Sequence, residues 1–174
     1  MTITIISGIP GSGKTSLARH LAASVPNGVH IESDVFFRFL AHRVDPSLPS
    51  ADGQNSVVVR AYLAAAIEYS AGGYDVYLDG VIGPWQLPLI TSMCPDMRYV
   101  LLHATLEVAL ARVRARTSQP SATEDVVVRM YEQFSNLPEV YRKHFLWTNE
   151  KTIEALASEY RMARENGAFL LGSV

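Results

Sequence analysis

Eight consecutive residues, Gly8-Ile9-Pro10-Gly11-Ser12-Gly13-Lys14-Thr15, fit the pattern GxxxxGK[ST]. Each residue type in it answers a requirement of polyphosphate binding. Glycines let the backbone curl until successive N–H groups converge on phosphate oxygens, and a helix that follows adds its unpaired N-terminal donors. Lys14 supplies a mobile positive charge for the β and γ phosphates, and Thr15 a hydroxyl for magnesium. The set expected to touch a nucleotide is Gly8, Gly11, Ser12, Gly13, Lys14, Thr15 and Ser16. Further along, Val76-Tyr77-Leu78-Asp79 ends an apolar run in a carboxylate, placed to share the metal with Thr15 if the run is a strand ending at the ligand edge of a sheet. The alternative for Asp79 is a turn-capping role beside Gly80.

Both assignments depend on the elements around them. Residues 2–7 are rich in β-branched types and stop at glycine, while 16–25 carry apolar residues at helical spacing, so the motif sits between a strand and a helix, where its mechanism needs it. The alternative is a glycine-rich turn that merely joins strand to helix. The pattern continues with a strand over 29–32, helices over 35–42 and 55–71, and a strand over 74–78. A helix over 85–93, a strand over 97–103, helices over 105–116 and 124–137, a strand over 144–147 and a helix over 152–164 follow. Five strands separated by helices predict an α/β fold with a parallel sheet covered on both faces. Strand order does not follow from the pattern.

The composition bounds the rest. With 174 residues, 48% hydrophobic, the chain has the size of one compact domain. Fifteen Lys and Arg against 17 Asp and Glu give a net charge of −2, which leaves no broad basic face and argues against a nucleic-acid partner. Cys94 is the only cysteine, so no intrachain disulfide is possible and a packing role is expected. The apolar start breaks at Gly8, Pro10 and Gly11, too early for a membrane span, and a cytoplasmic location is expected. His20, His30, His42, His103 and His144 lack metal-site spacing and are assigned surface or packing roles.

With these residues in view, the chain resembles the small P-loop kinases, a family that includes shikimate and gluconate kinases, nucleoside monophosphate kinases and chloramphenicol phosphotransferase. The resemblance covers nearly the whole length. It implies a three-layer P-loop NTPase fold with a five-stranded parallel sheet ordered 2-3-1-4-5, helices on both faces, and a short lid at about 117–124 of a single kinase-like domain spanning 1–174. It also implies ATP and magnesium as ligands, and a small-molecule acceptor.

Glu32-Ser33-Asp34 is similar to the acidic pattern that the sugar-kinase branch carries where the acceptor hydroxyl meets the γ-phosphate, which makes Asp34 the candidate base. Capping of a helix that begins near Val35 is its alternative role. Arg112 and Arg116, four residues apart on one helical face, are similar to the family's lid-entrance arginines, which compensate charge on the transferred group; Arg114 points elsewhere. Together with Lys14 and Asp34 they form the expected catalytic set. Thr148-Asn149 stands where an adenine-contacting loop would lie.

Departures from the family are as informative. The segment 117–121 lacks the further arginine of shikimate kinases, and Ile82-Gly83-Pro84-Trp85 replaces the Pro-Arg expected after the Asp-Gly of adenylate kinases. Arg38 and Arg60 flank the expected acceptor pocket; Trp85 reads as a core residue, with acceptor contact by Trp85 and Gln86 as the other possibility. The expected function is transfer of the γ-phosphoryl group of ATP to a small-molecule hydroxyl. The alternative is a nucleotide-binding regulatory module or NTPase without such an acceptor. Neither the acceptor nor the oligomeric state can be read from the sequence.

Overall fold

The computed structural model describes residues 2–115 and 122–171. The chain opens with β1 (Ile3–Gly8) and runs through α1 (Lys14–Ala23), β2 (Gly28–Glu32), α2 (Ser33–Arg38), α3 (Asp52–Ala71) and β3 (Asp75–Asp79). It continues through α4 (Leu87–Met93), β4 (Arg98–His103), α5 (Leu106–Arg114), α6 (Glu124–Ser135), β5 (Phe145–Trp147) and α7 (Ile153–Glu165). All strand pairs are parallel, and the sheet order is β2-β3-β1-β4-β5. This is the order the family resemblance implies, with the helices divided between the two faces.

Alternation along each strand distributes side chains between two cores. Ile3 and Ile5 of β1, Val76 and Leu78 of β3, and Tyr99 and Leu101 of β4 join one core, which packs against Tyr62 of α3, Ile90 of α4 and Phe134 of α6. Ile6, Tyr77, Val100 and Leu102 face the other core, made with Leu17 and Leu21 of α1 and Leu156 and Tyr160 of α7. The near-continuous apolar runs of these strands are what a sheet covered on both faces requires. Two polar residues of β1 are partnered inside: the Thr4 hydroxyl meets the Tyr160 hydroxyl at 2.8 Å, and Ser7 Oγ donates to the Ile82 carbonyl at 2.7 Å.

Element boundaries differ from expectation where local geometry decides them. Helix α1 begins at Lys14, not Ser16, because Gly13 adopts a left-handed conformation (φ 97°) that turns the chain straight into the helix. Helix α2 starts at Ser33, two residues earlier than expected, and Glu32 occupies the position before it. Asp34 therefore lies inside the first turn and is not the N-cap, which corrects the capping role considered for it. Side chains do cap two other helices: Thr105 Oγ1 accepts from the Val108 N–H at 3.5 Å and Thr152 Oγ1 from the Ala155 N–H at 3.3 Å. His144 closes a 3₁₀ turn (Glu139–His144) and does not open β5.

Candidate nucleotide and acceptor site

The phosphate loop leaves the carboxyl end of β1, the central strand, and delivers the chain to α1. Its shape depends on glycine at Gly11, where φ is +82° and a Cβ would fall 2.4 Å from the Ala109 carbonyl oxygen of α5. At Gly13 the backbone is again left-handed, and nothing lies within 4 Å of where a Cβ would be, so the space above the loop is open. Ser12 is fully buried, and its hydroxyl has no hydrogen-bond partner. A buried hydroxyl without a partner is costly, and a ligand oxygen at the loop would relieve that cost. The Lys14 ammonium donates to the Ile9 carbonyl at 3.0 Å, so it lies folded across the loop.

The two residues expected to share a metal, Thr15 and Asp79, meet. The Thr15 hydroxyl donates to Asp79 Oδ2 at 2.5 Å, although the residues are 64 positions apart. Asp79 ends β3 beside β1, with Ile6 as its register partner, and is 2% exposed. It is not capping a turn in isolation: its other oxygen, Oδ1, lies 2.7 Å from His30 Nε2 on β2. An ionised carboxylate can only accept, so Nε2 carries the proton in this pair. The surface or packing role expected for His30 is thereby corrected. Its register partner is Tyr77, two residues before Asp79 on the same strand face, and parity along β2 and β3 turns both side chains toward α1. The parity is legible in sequence; the pairing register that makes them neighbours is not.

Thr15 and Asp79 offer one hydroxyl and one carboxylate, hard oxygen donors suited to magnesium, which takes few protein ligands and completes its shell with phosphate and water. Among the described residues no group of three or more His, Cys, Asp and Glu forms a larger cage. The donor set fits a magnesium–nucleotide complex.

On the far side of the phosphate loop lies a cleft of about 320 Å³ lined by Gly11, Gly13, Ser16, Arg112, Thr148 and Lys151, among others. Arg112 of α5 spans its floor. Its guanidinium donates to the Gly11 carbonyl at 3.4 Å, to Thr148 Oγ1 at 3.3 Å and to the Thr148 carbonyl at 3.0 Å. Thr148 is 2% exposed, and its N–H is taken by the His103 carbonyl at 3.0 Å. Asn149 turns away, its Oδ1 accepting from the Thr105 N–H at 3.1 Å. Of the dipeptide expected to touch a base, Thr148 lines the cleft and Asn149 braces α5. Lys151 reaches the cleft while paired to Glu159 at 2.5 Å.

Arg116 and most of the expected lid, residues 116–121, lie outside the described residues. Arg114 is directed elsewhere, as expected: it makes a forked pair with Glu124, the first residue of α6, at 2.7 and 2.6 Å. The pair joins the end of α5 to the start of α6. Glu124 is thus a helix residue, so the expected lid ends before it.

Asp34 is exposed at the carboxyl end of β2, on the sheet edge that also carries Asp79. Its negative charge adds, after burial and Tyr99, to the causes that hold the Tyr62 hydroxyl well above the usual range. Arg38 and Arg60 are exposed, and neither makes an ion pair with another described residue. Trp85 is 59% exposed, which corrects its assignment to the core. Its ring lies against Gly83 and meets Phe134 of α6 edge-on at 5.8 Å, so the indole stands at the rim between the loop after β3 and α6. The loop itself is pinned from below by Ser7 and by the Tyr99 hydroxyl, both donating to the Ile82 carbonyl at 2.7 Å.

The fold and this edge of the sheet define a P-loop protein of the small-kinase type. Residues 3–137 match the AAA domain family, and the chain belongs to it. No curated protein matches the chain by sequence. Among solved structures, a sugar kinase from a Janibacter species superposes with a TM-score of 0.74 at 16% identity, over 95% of both chains. A gluconokinase from Sinorhizobium meliloti gives 0.64 at 17% identity, again over 95% of both. Shikimate kinase from Bacteroides thetaiotaomicron gives 0.66 at 15% identity, over 94% of this chain and 98% of that one. At these identities the likeness is one of fold. No helix among the described residues is long and apolar enough to cross a membrane.

Proposed function

We propose that the chain is an ATP-dependent phosphotransferase that moves the γ-phosphoryl group to a hydroxyl of a small-molecule acceptor. The observation that carries this is the contact of Thr15 with Asp79 beside the open phosphate loop, on the same sheet edge as Asp34. The kinase fold of the structural relatives agrees with it.

In this proposal the backbone from Gly8 to Gly13, the Ser12 hydroxyl and Lys14 hold the triphosphate, and Thr15 and Asp79 hold magnesium. Magnesium, when bound, neutralises charge on the β and γ phosphates. Thr148 and Arg112 border the base end of the cleft, and Arg116 adds charge compensation as the chain closes over the phosphates. The acceptor hydroxyl approaches past Asp34, whose carboxylate orients it and takes its proton. A bond forms from the acceptor oxygen to the γ-phosphorus as the bond to the β–γ bridging oxygen breaks, leaving ADP and a phosphorylated acceptor. Most of the rate enhancement in such a transfer comes from positioning and charge. The lone thiol fits a reducing, cytoplasmic setting.

The test is ADP release with magnesium across sugar acids, nucleosides, nucleotides and hydroxylated antibiotics. One acceptor is expected to stimulate turnover, and Lys14→Ala to lower that turnover by about 10²–10³-fold. Nucleotide binding with slow basal hydrolysis and no stimulation by any acceptor would favour a regulatory module instead.

A further inference from the structure

We propose that His30 is a positioning residue for the metal–nucleotide site: it fixes the plane of the Asp79 carboxylate, and with it the direction in which the oxygen beside Thr15 presents its lone pairs. The inference rests on the assignment of Thr15 and Asp79 to magnesium. Its basis is the geometry of a single carboxylate. Asp79 is 2% exposed, so its oxygens depend on protein partners rather than on water. Oδ2 takes the Thr15 hydroxyl at 2.5 Å and Oδ1 takes the His30 Nε2–H at 2.7 Å. The two donors come from opposite sides: α1 carries Thr15 after the phosphate loop, and β2 carries His30 beyond β3 in the sheet.

Without a donor on Oδ1, the carboxylate is held by Thr15 alone and its plane can tilt about the terminal bond of Asp79. With His30 in place any such tilt breaks a hydrogen bond to a charged acceptor, which is among the stronger kinds. The hydroxyl of Thr15 can go on donating to Oδ2 while its oxygen keeps lone pairs free for a metal, so the orientation that His30 maintains is compatible with metal binding at Thr15. The imidazole is largely shielded from solvent, its side chain 17% exposed on a strand whose next residues lead into Asp34. Groups that hydrogen-bond to a metal-binding carboxylate typically contribute ten- to a hundredfold in metal affinity.

The experiment measures ATP binding to the full chain by calorimetry, in EDTA and across a magnesium titration, for the wild type, His30→Leu and His30→Gln. The wild type is expected to bind ATP more tightly with magnesium. His30→Leu should need about tenfold more magnesium for the same gain while its affinity in EDTA is unchanged. His30→Gln, whose amide N–H can stand where Nε2 stands, should recover most of the loss. The inference is overturned if His30→Leu keeps the wild-type magnesium dependence, if it weakens ATP binding equally in EDTA, or if His30→Gln is as impaired as His30→Leu. A wild type that gains nothing from magnesium overturns the metal assignment itself, and that result is seen without any variant.

Discussion

The guanidinium of Arg112 joins the Thr148 carbonyl at 3.0 Å and the Gly11 carbonyl at 3.4 Å, so one side chain of α5 ties the segment after β5 to the phosphate loop. In this arrangement Arg112 shapes the cleft through bonds to uncharged groups and keeps its positive charge beside the phosphate loop. Compensation of charge on the transferred group is assigned to Lys14, Arg112 and Arg116 in the proposed mechanism.

Arg112→Lys keeps the charge and loses the fork. A lysine ammonium cannot bridge Thr148 and Gly11 in the same plane. ATP affinity should fall about tenfold or more, with a lower unfolding temperature, since hydrogen bonds from charged donors contribute about 1.5–3 kcal/mol. Calorimetric titration and a thermal melt check both. Wild-type values in each would show that neither nucleotide binding nor stability depends on the Arg112 fork.

Asp34→Asn separates the acceptor step from nucleotide binding. Asp34 is exposed and makes no capping bond, so the variant should fold and bind ATP as the wild type does. Acceptor-stimulated turnover should fall by about 10²–10⁴-fold, the range for loss of a general base. Unchanged stimulated turnover would leave Asp34 as a surface residue.

Gly11→Ala tests the backbone of the loop. A side chain at φ +82° costs about 1–2 kcal/mol by conformation alone, and its Cβ would overlap the Ala109 carbonyl oxygen, 2.4 Å away. Lower thermal stability and loss of ATP binding are expected together, because α5 and the loop must move apart. The alanine variant binding ATP normally would show that the loop is set by other residues.

Acid should destabilise the fold through buried imidazoles. His144 is 2% exposed and donates from Nδ1 to the Tyr99 carbonyl at 2.9 Å. Burial holds its pKa below the ordinary 6.5, as it does for His103. The unfolded chain then binds protons more readily than the folded one as pH falls through about 6.5, so stability is present above that value and is lost below it. Melting temperatures should drop between pH 7.5 and 5.5, and the drop should be smaller in His144→Gln. An equal slope in both would place the acid sensitivity elsewhere.

The phosphate loop was legible because its signals are local. Glycine spacing, the lysine and the threonine lie within eight residues, and the flanking strand and helix announce themselves by periodicity. Asp79 was legible for a related reason: a carboxylate that ends a buried run sits at the edge of a parallel sheet. His30 was not, since a single histidine in a strand carries no mark of the partner opposite it. Trp85 was misjudged as core because a large aromatic usually buries its area, whereas here its neighbours Gly83 and Phe134 cover only part of the ring at the rim.

By itself the sequence determined the alternation of strands and helices, the nucleotide-binding loop, and the residues whose chemistry suits phosphate and metal. These follow from short-range properties: backbone freedom at glycine, side-chain alternation along a strand, and the run of donors at a helix start. Tertiary structure alone decided that Thr15, Asp79 and His30 converge on one carboxylate and that Arg112 bridges Gly11 and Thr148. Those relationships depend on strand register and on crossovers between distant segments, and many such pairings are compatible with the same local pattern until packing of the two cores selects one.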